Sequence, residues 1–145
     1  MANNISNQIK TTRVTNTVAA GTGDSNSSSV DMLDYEGVRF LVSFGTIVSG
    51  AATTIKAAQS ADDSSWDDLL GTAITVTDTD DNDVAILDIW RPINRYVRIT
   101  VTRATQNSTI DGIIAEQYGP RVLPPTNDAT VIGQEIHSSP AEGTA

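Results

Sequence analysis

At 145 residues the chain has enough length for one domain with a single β-sandwich or barrel core, and some left over for arms. Apolar residues make up 39% and aromatics 5%, and lysine occurs only at positions 10 and 56, a composition that favours strands because β-branched side chains fit a pleated surface. The absence of cysteine excludes disulfides and thiolate metal sites, and a net charge of −9 disfavours nucleic acid, whose affinity for proteins comes from cations replacing counterions along phosphates.

Residues 1–23 read as a polar N-terminal arm, carrying Lys10 and Arg13 and no acid, with too few apolar residues for a core of its own. The start shows no secretory pattern, and no apolar run is long enough to span a bilayer. Residues 24–119 are expected to form the β core. Positions 38–44 alternate, with Val38, Phe40, Val42 and Phe44 on one face. A weaker strand follows at 53–59 with Ile55 and Ala57 inward, and 74–77 alternates again. Residues 66–70 are expected as a helical turn or loop. The nearly continuous apolar run 84–90 predicts a central strand buried on both faces. Residues 96–103 alternate, 110–118 follow after a short polar turn, and the two read as a hairpin. The expected fold is all-β: an antiparallel β-sandwich or jelly-roll-like barrel with extended N- and C-terminal arms. Residues 120–145 carry Pro120, Pro124, Pro125 and Pro140 and read as an extended C-terminal arm.

Few groups offer chemistry. His137 is the sole histidine, so neither a multi-histidine metal site nor a second histidine for a triad is available. Asp78, Asp80 and Asn82 match the first three ligands of a Ca²⁺-binding loop, but position six is Asp83 where glycine is needed and position twelve is Ile89 where a bidentate glutamate is needed. A solvated loop is the favoured reading there. Asp62, Asp63, Asp67 and Asp68 flank Trp66, a weak pattern for a sugar site with nothing to set a carboxylate separation. Trp66 is expected to plug the core edge or a subunit contact. The basic concentration Arg91, Arg95, Arg98 and Arg103, with Trp90 and Tyr96, has the chemistry of interface anchors. Its natural partners are acids of a neighbouring subunit or of the chain's own loops. Lys10 and Arg13 complete the candidate contact set. No cofactor and no catalysis are expected.

The segments KAAQSADDSSWDDLLGTA, DNDVAILDIWRPINRYVR and RATQNSTIDGIIAEQYGPR together resemble small virion proteins encoded in the structural modules of tailed bacteriophages. The resemblance covers about half the chain and misses the N-terminal segment. It implies a decoration, or cement, protein on the outer capsid surface, made in the host cytoplasm and commonly a homotrimer. Such a protein seats among major capsid protein subunits, with its termini reaching neighbouring cement subunits. It carries no catalytic residues and implies neither a nucleic-acid nor a membrane partner. A carbohydrate- or receptor-binding tail or head-fibre module is the alternative.

Overall fold

The computed structural model describes residues 4–144. A 3-10 turn, Ile5–Asn7, precedes eleven strands: β1 Ile9–Thr15, β2 Val18–Gly21, β3 Ser25–Asn26, β4 Val30–Asp31, β5 Gly37–Ile47, β6 Ala52–Ser60, β7 Asp67–Asp68, β8 Ile74–Val76, β9 Val84–Trp90, β10 Tyr96–Ala104 and β11 Ser108–Tyr118. They form two antiparallel sheets packed as a sandwich. The first has the order β1-β11-β5-β9, with β2 also on β11. The second has the order β3-β10-β6-β7, with β4 also on β10 and β8 also on β6.

The core follows from period-two alternation. Val38, Phe40, Val42 and Phe44 of β5 face Val97, Ile99 and Val101 of β10 and Ile55 and Ala57 of β6 across the interior, all essentially inaccessible. In β11 both Ile110 and Ile113 point inward, an odd spacing that a bulge between Ile110 and Gly112 permits. Among the buried polar contacts that bridge the sheets is Thr53 Oγ1 to Ser108 Oγ at 2.6 Å.

Four expectations are corrected. Residues 96–103 and 110–118 do not form a hairpin. β10 belongs to the second sheet and β11 to the first, and the chain crosses between them at residues 105–107, with Thr105 at φ 70°. An alternating pattern marks which face is inward; it does not say whether the next strand lies beside or opposite. Second, 84–90 is an edge strand rather than a central one, and Val84, Ile86 and Trp90 are more than half exposed. Third, the region expected as a helical turn or loop contains the two-residue strand β7 on β6.

The fourth concerns the arms. Residues 9–21 are β1 and β2, laid along β11, with Val14 buried in the core. The apolar residues that looked too sparse for a separate core contribute to the common one. The start of the C-terminal segment covers β1's other edge. Thr11 N–H donates to Asn127 Oδ1 (2.8 Å), Arg13 N–H to Thr130 Oγ1 (2.9 Å), and Asp128 N–H to Thr11 C=O (3.2 Å). Gln134 Nε2 donates to Ser6 C=O at 3.1 Å. These contacts supply partners to backbone groups that an edge strand otherwise leaves open. Residues 9–21 and 127–134 thus close on their own chain, while 135–144 stay exposed.

Candidate interaction surface

The outward face of the first sheet is built from cross-strand rows. Register places Arg13, Ile114, Leu41 and Ile86 in one line across β1, β11, β5 and β9. Ile114 and Ile86 are 42% and 53% exposed, and Leu41 is half-buried. Val84 extends the apolar area one step along β9, and a hollow among Arg13, Leu41, Val84 and Ile114 dents it. The neighbouring row is polar. Arg39 Nε donates to Glu116 Oε2 at 2.9 Å, which ties down both charges beside the apolar line.

The third row explains a glycine. Tyr118 of β11 sends its ring across Gly37 of β5 to reach Asp88 of β9, donating from its hydroxyl to Oδ1 at 2.6 Å. A Cβ on Gly37 would stand 2.2 Å from the ring, so only glycine fits beneath it. Burial first, and then this hydrogen bond, pushes the Tyr118 hydroxyl up to about 12. Beside it a groove of about 520 Å³ runs between Ile5 and Ile9 on one side and Pro120 and Leu123 on the other.

The outward face of the second sheet is different. Asp62 Oδ1 accepts from the backbone N–H groups of Ser65 (2.8 Å) and Ser64 (3.0 Å), and these bonds hold its carboxyl well below the usual range. The folded loop sets Trp66 against Arg98, whose guanidinium carbon lies 4.2 Å from the ring centroid. One face of the indole is therefore taken by the chain's own arginine. Lys56 Nζ meets Asp68 at 2.6 Å.

The expected contact residues divide. Arg95 forks onto Asp31 at 2.8 and 2.6 Å and lies 5.2 Å over Tyr96. This hydrogen bond, ahead of every other cause, holds the Asp31 carboxyl below its ordinary value. Arg91 covers Trp90 at 4.5 Å and reaches Glu36 only loosely, at 3.8 Å. Arg13 borders the apolar row, while Lys10, opposite Gln117, is half-buried. The acids seen for Arg91 and Arg95 come from the chain itself, Asp31 at the end of β4 for Arg95 and Glu36 in the loop before β5 for Arg91.

Arg103 is a correction. It is 7% exposed and points into the sandwich, where Nε donates to Gly23 C=O (2.7 Å) and NH1 to Ala19 C=O (2.9 Å) and Ser108 C=O (2.7 Å). A fixed fork of donors suits three converging carbonyls, so this cation works as an internal clamp between β2, β10 and β11.

The acidic loop is also placed differently from a Ca²⁺ site. Asp78 Oδ2 accepts from Gly50 N–H (2.9 Å) and Ser49 Oγ (3.1 Å), and Asp80 Oδ2 from Thr77 N–H (2.7 Å). Asn82 takes a positive φ of 62° and gives its N–H to Gly45 C=O. Asp78, Asp80 and Asn82 serve separate backbone turns, and among the described residues no three acidic or histidine side chains converge as metal ligands. His137 meets Glu135 at 2.9 Å in the exposed C-terminal segment.

No family model matches the chain. No curated protein matches it either. Among solved structures, the PBSX exported protein XepA shares the fold. The TM-score is 0.54 at 12% identity, over 96% of this chain and 46% of that one. The chain thus spans less than half the length of that structure.

Leu41, Val84, Ile86, Ile114 and Tyr118 escaped the reading of the sequence as surface residues. The signal was present: 41, 86 and 114 are apolar at outward positions of their strands. It became legible only once register aligned them in one row.

Proposed function

We propose that this chain is a non-enzymatic structural protein of a tailed-phage particle, and more specifically a decoration protein fastened to the outer capsid surface through contacts with the major capsid protein. The observation that carries the reading is the row Arg13–Ile114–Leu41–Ile86 with Val84, an apolar strip on the outside of an otherwise acidic chain. Exposed apolar area of this kind, bordered by tied charges, is the composition of a protein contact. The sequence resemblance to tailed-phage virion proteins supports the class of assembly, and the fold shared with a PBSX exported protein is consistent with it. The outer face rather than the arms makes the principal contact here, because residues 9–21 and 127–134 are engaged within their own chain. Repetition over a lattice then raises retention through avidity.

Co-sedimentation with purified phage heads that lack this chain tests the reading. Wild-type protein should pellet with heads, and Ile114→Glu, with unchanged circular dichroism, should need about tenfold more protein for equal occupancy, the loss of one central apolar anchor. Equal occupancy by both proteins, or no pelleting by the wild type, would remove the reading.

A further inference from the structure

The two edges of the first sheet are treated unequally. β1 is covered by residues 127–134, whereas no described segment pairs with the outer edge of β9. The ladder between β5 and β9 runs without a bulge. It is bracketed by Arg91 N–H to Glu36 C=O (2.7 Å) and Phe44 N–H to Asp83 C=O (3.0 Å). Antiparallel pairing alternates, so the odd residues of β9 bond to β5. The N–H and C=O groups of Val84, Ile86, Asp88 and Trp90 therefore face away from the sheet. This edge holds no proline and no lysine, the usual devices against pairing, and its outward side chains are mostly apolar.

We propose that β9 pairs antiparallel with β9 of a second copy of this chain, about a two-fold axis at Leu87, to make one continuous sheet across a homodimer. In that register Val84 stands opposite Trp90 of the second copy, and Ile86 opposite Asp88, whose carboxylate is already engaged by Tyr118. Ala85 and Ile89, half-buried at the rim of the core, meet each other across the axis beside the paired Leu87 residues and are covered. Charge decides the register among those the backbone allows. Only the pairing centred on Leu87 sets Asp83 against Arg91 at both ends. Asp83 is exposed, and its side chain makes no hydrogen bond or ion pair among the described residues; Arg91, stacked over Trp90, has as its own acidic partner Glu36 at 3.8 Å, a long contact that an opposing Asp83 can replace. A two-fold contact uses the same edge twice and needs no second complementary edge. A three-fold ring through this sheet would need β9 to meet β1, and β1 is occupied.

The inference stands independently of the particle reading, since it concerns the purified chain. Sedimentation equilibrium should show a monomer–dimer equilibrium for the wild type. Asp83→Arg and Arg91→Asp should each weaken the dimer about tenfold or more, by placing like charges together, and the double exchange should restore it to within about threefold. Asp at position 91 tolerates the positive φ of 51° found there. Ile86→Lys, a lysine on the free edge, should leave a folded monomer by circular dichroism. A wild type that stays monomeric at millimolar concentration would overturn the proposal. So would an oligomer indifferent to Ile86→Lys, or single exchanges that the double exchange does not rescue. Loss of the dimer in Asp83→Arg, which lies outside the apolar row, with head binding retained would still support the pairing and leave the capsid reading intact.

Discussion

Arg103→Met should lower the stability of the fold by about 3–5 kcal/mol, since each hydrogen bond from a charged donor contributes roughly 1.5–3 kcal/mol and the orphaned acceptors must then be buried or hydrated. The clamp joins Ala19 of β2 and Gly23 of the connection after it to Ser108 of β11, which lies far away in sequence. Methionine fills much of the volume but donates nothing, so the loss reports the hydrogen bonds more than a cavity. For a domain with about 5–15 kcal/mol in total, the change removes a large share of its stability. Urea unfolding should show it as a lower midpoint with a similar slope. Arg91→Met is the control. Its side chain is 65% exposed and its ion pair is long, so the midpoint should move by less than the equivalent of about 0.5 kcal/mol. Equal shifts in the two variants would refute the clamp.

Removal of the chain before Thr22 should abolish cooperative folding. β1 and β2 together line one side of β11, so the deletion turns a central strand into an edge. It takes Val14 out of the core, removes one of the carbonyls that Arg103 holds, and leaves residues 127–134 with nothing to cover. Burial losses of a few kcal/mol and an unpaired strand are together comparable with the whole stability of a small domain. The expected result is poor solubility and no sharp thermal transition. Removal of the chain after His137, by contrast, should change stability by less than about 0.5 kcal/mol, because the segment after it is exposed. A truncated protein lacking β1 and β2 that melts like the intact one would return these residues to the status of a free arm.

That deletion marks the boundary of what could be read without coordinates. The inward rows of β5, β10 and β6 were legible because alternation is a local property and each strand carries its own copy of the signal. The placement of β1 was not, since Ile9–Thr15 is mixed in polarity and its partner β11 lies about a hundred residues away. The run 84–90 was misread for a related reason. Apolar residues on both faces indicate burial on both sides or burial on one side and a sticky surface on the other, and periodicity does not separate the two. Arg103 was assigned to a surface by residue type alone, and only the convergence of three carbonyls reveals its role. In the Asp78–Asn82 loop the acids take the part that makes them common in turns: Asp78 and Asp80 each accept from a nearby backbone N–H.

The central claim is that the chain is a built-in part of a tailed-phage particle, displayed on the head. Gold labelling of intact mature particles with an antibody against this chain tests it most directly. The account predicts label distributed over the outer surface of the head; label confined to the tail, or absent from mature particles that are otherwise complete, would contradict it.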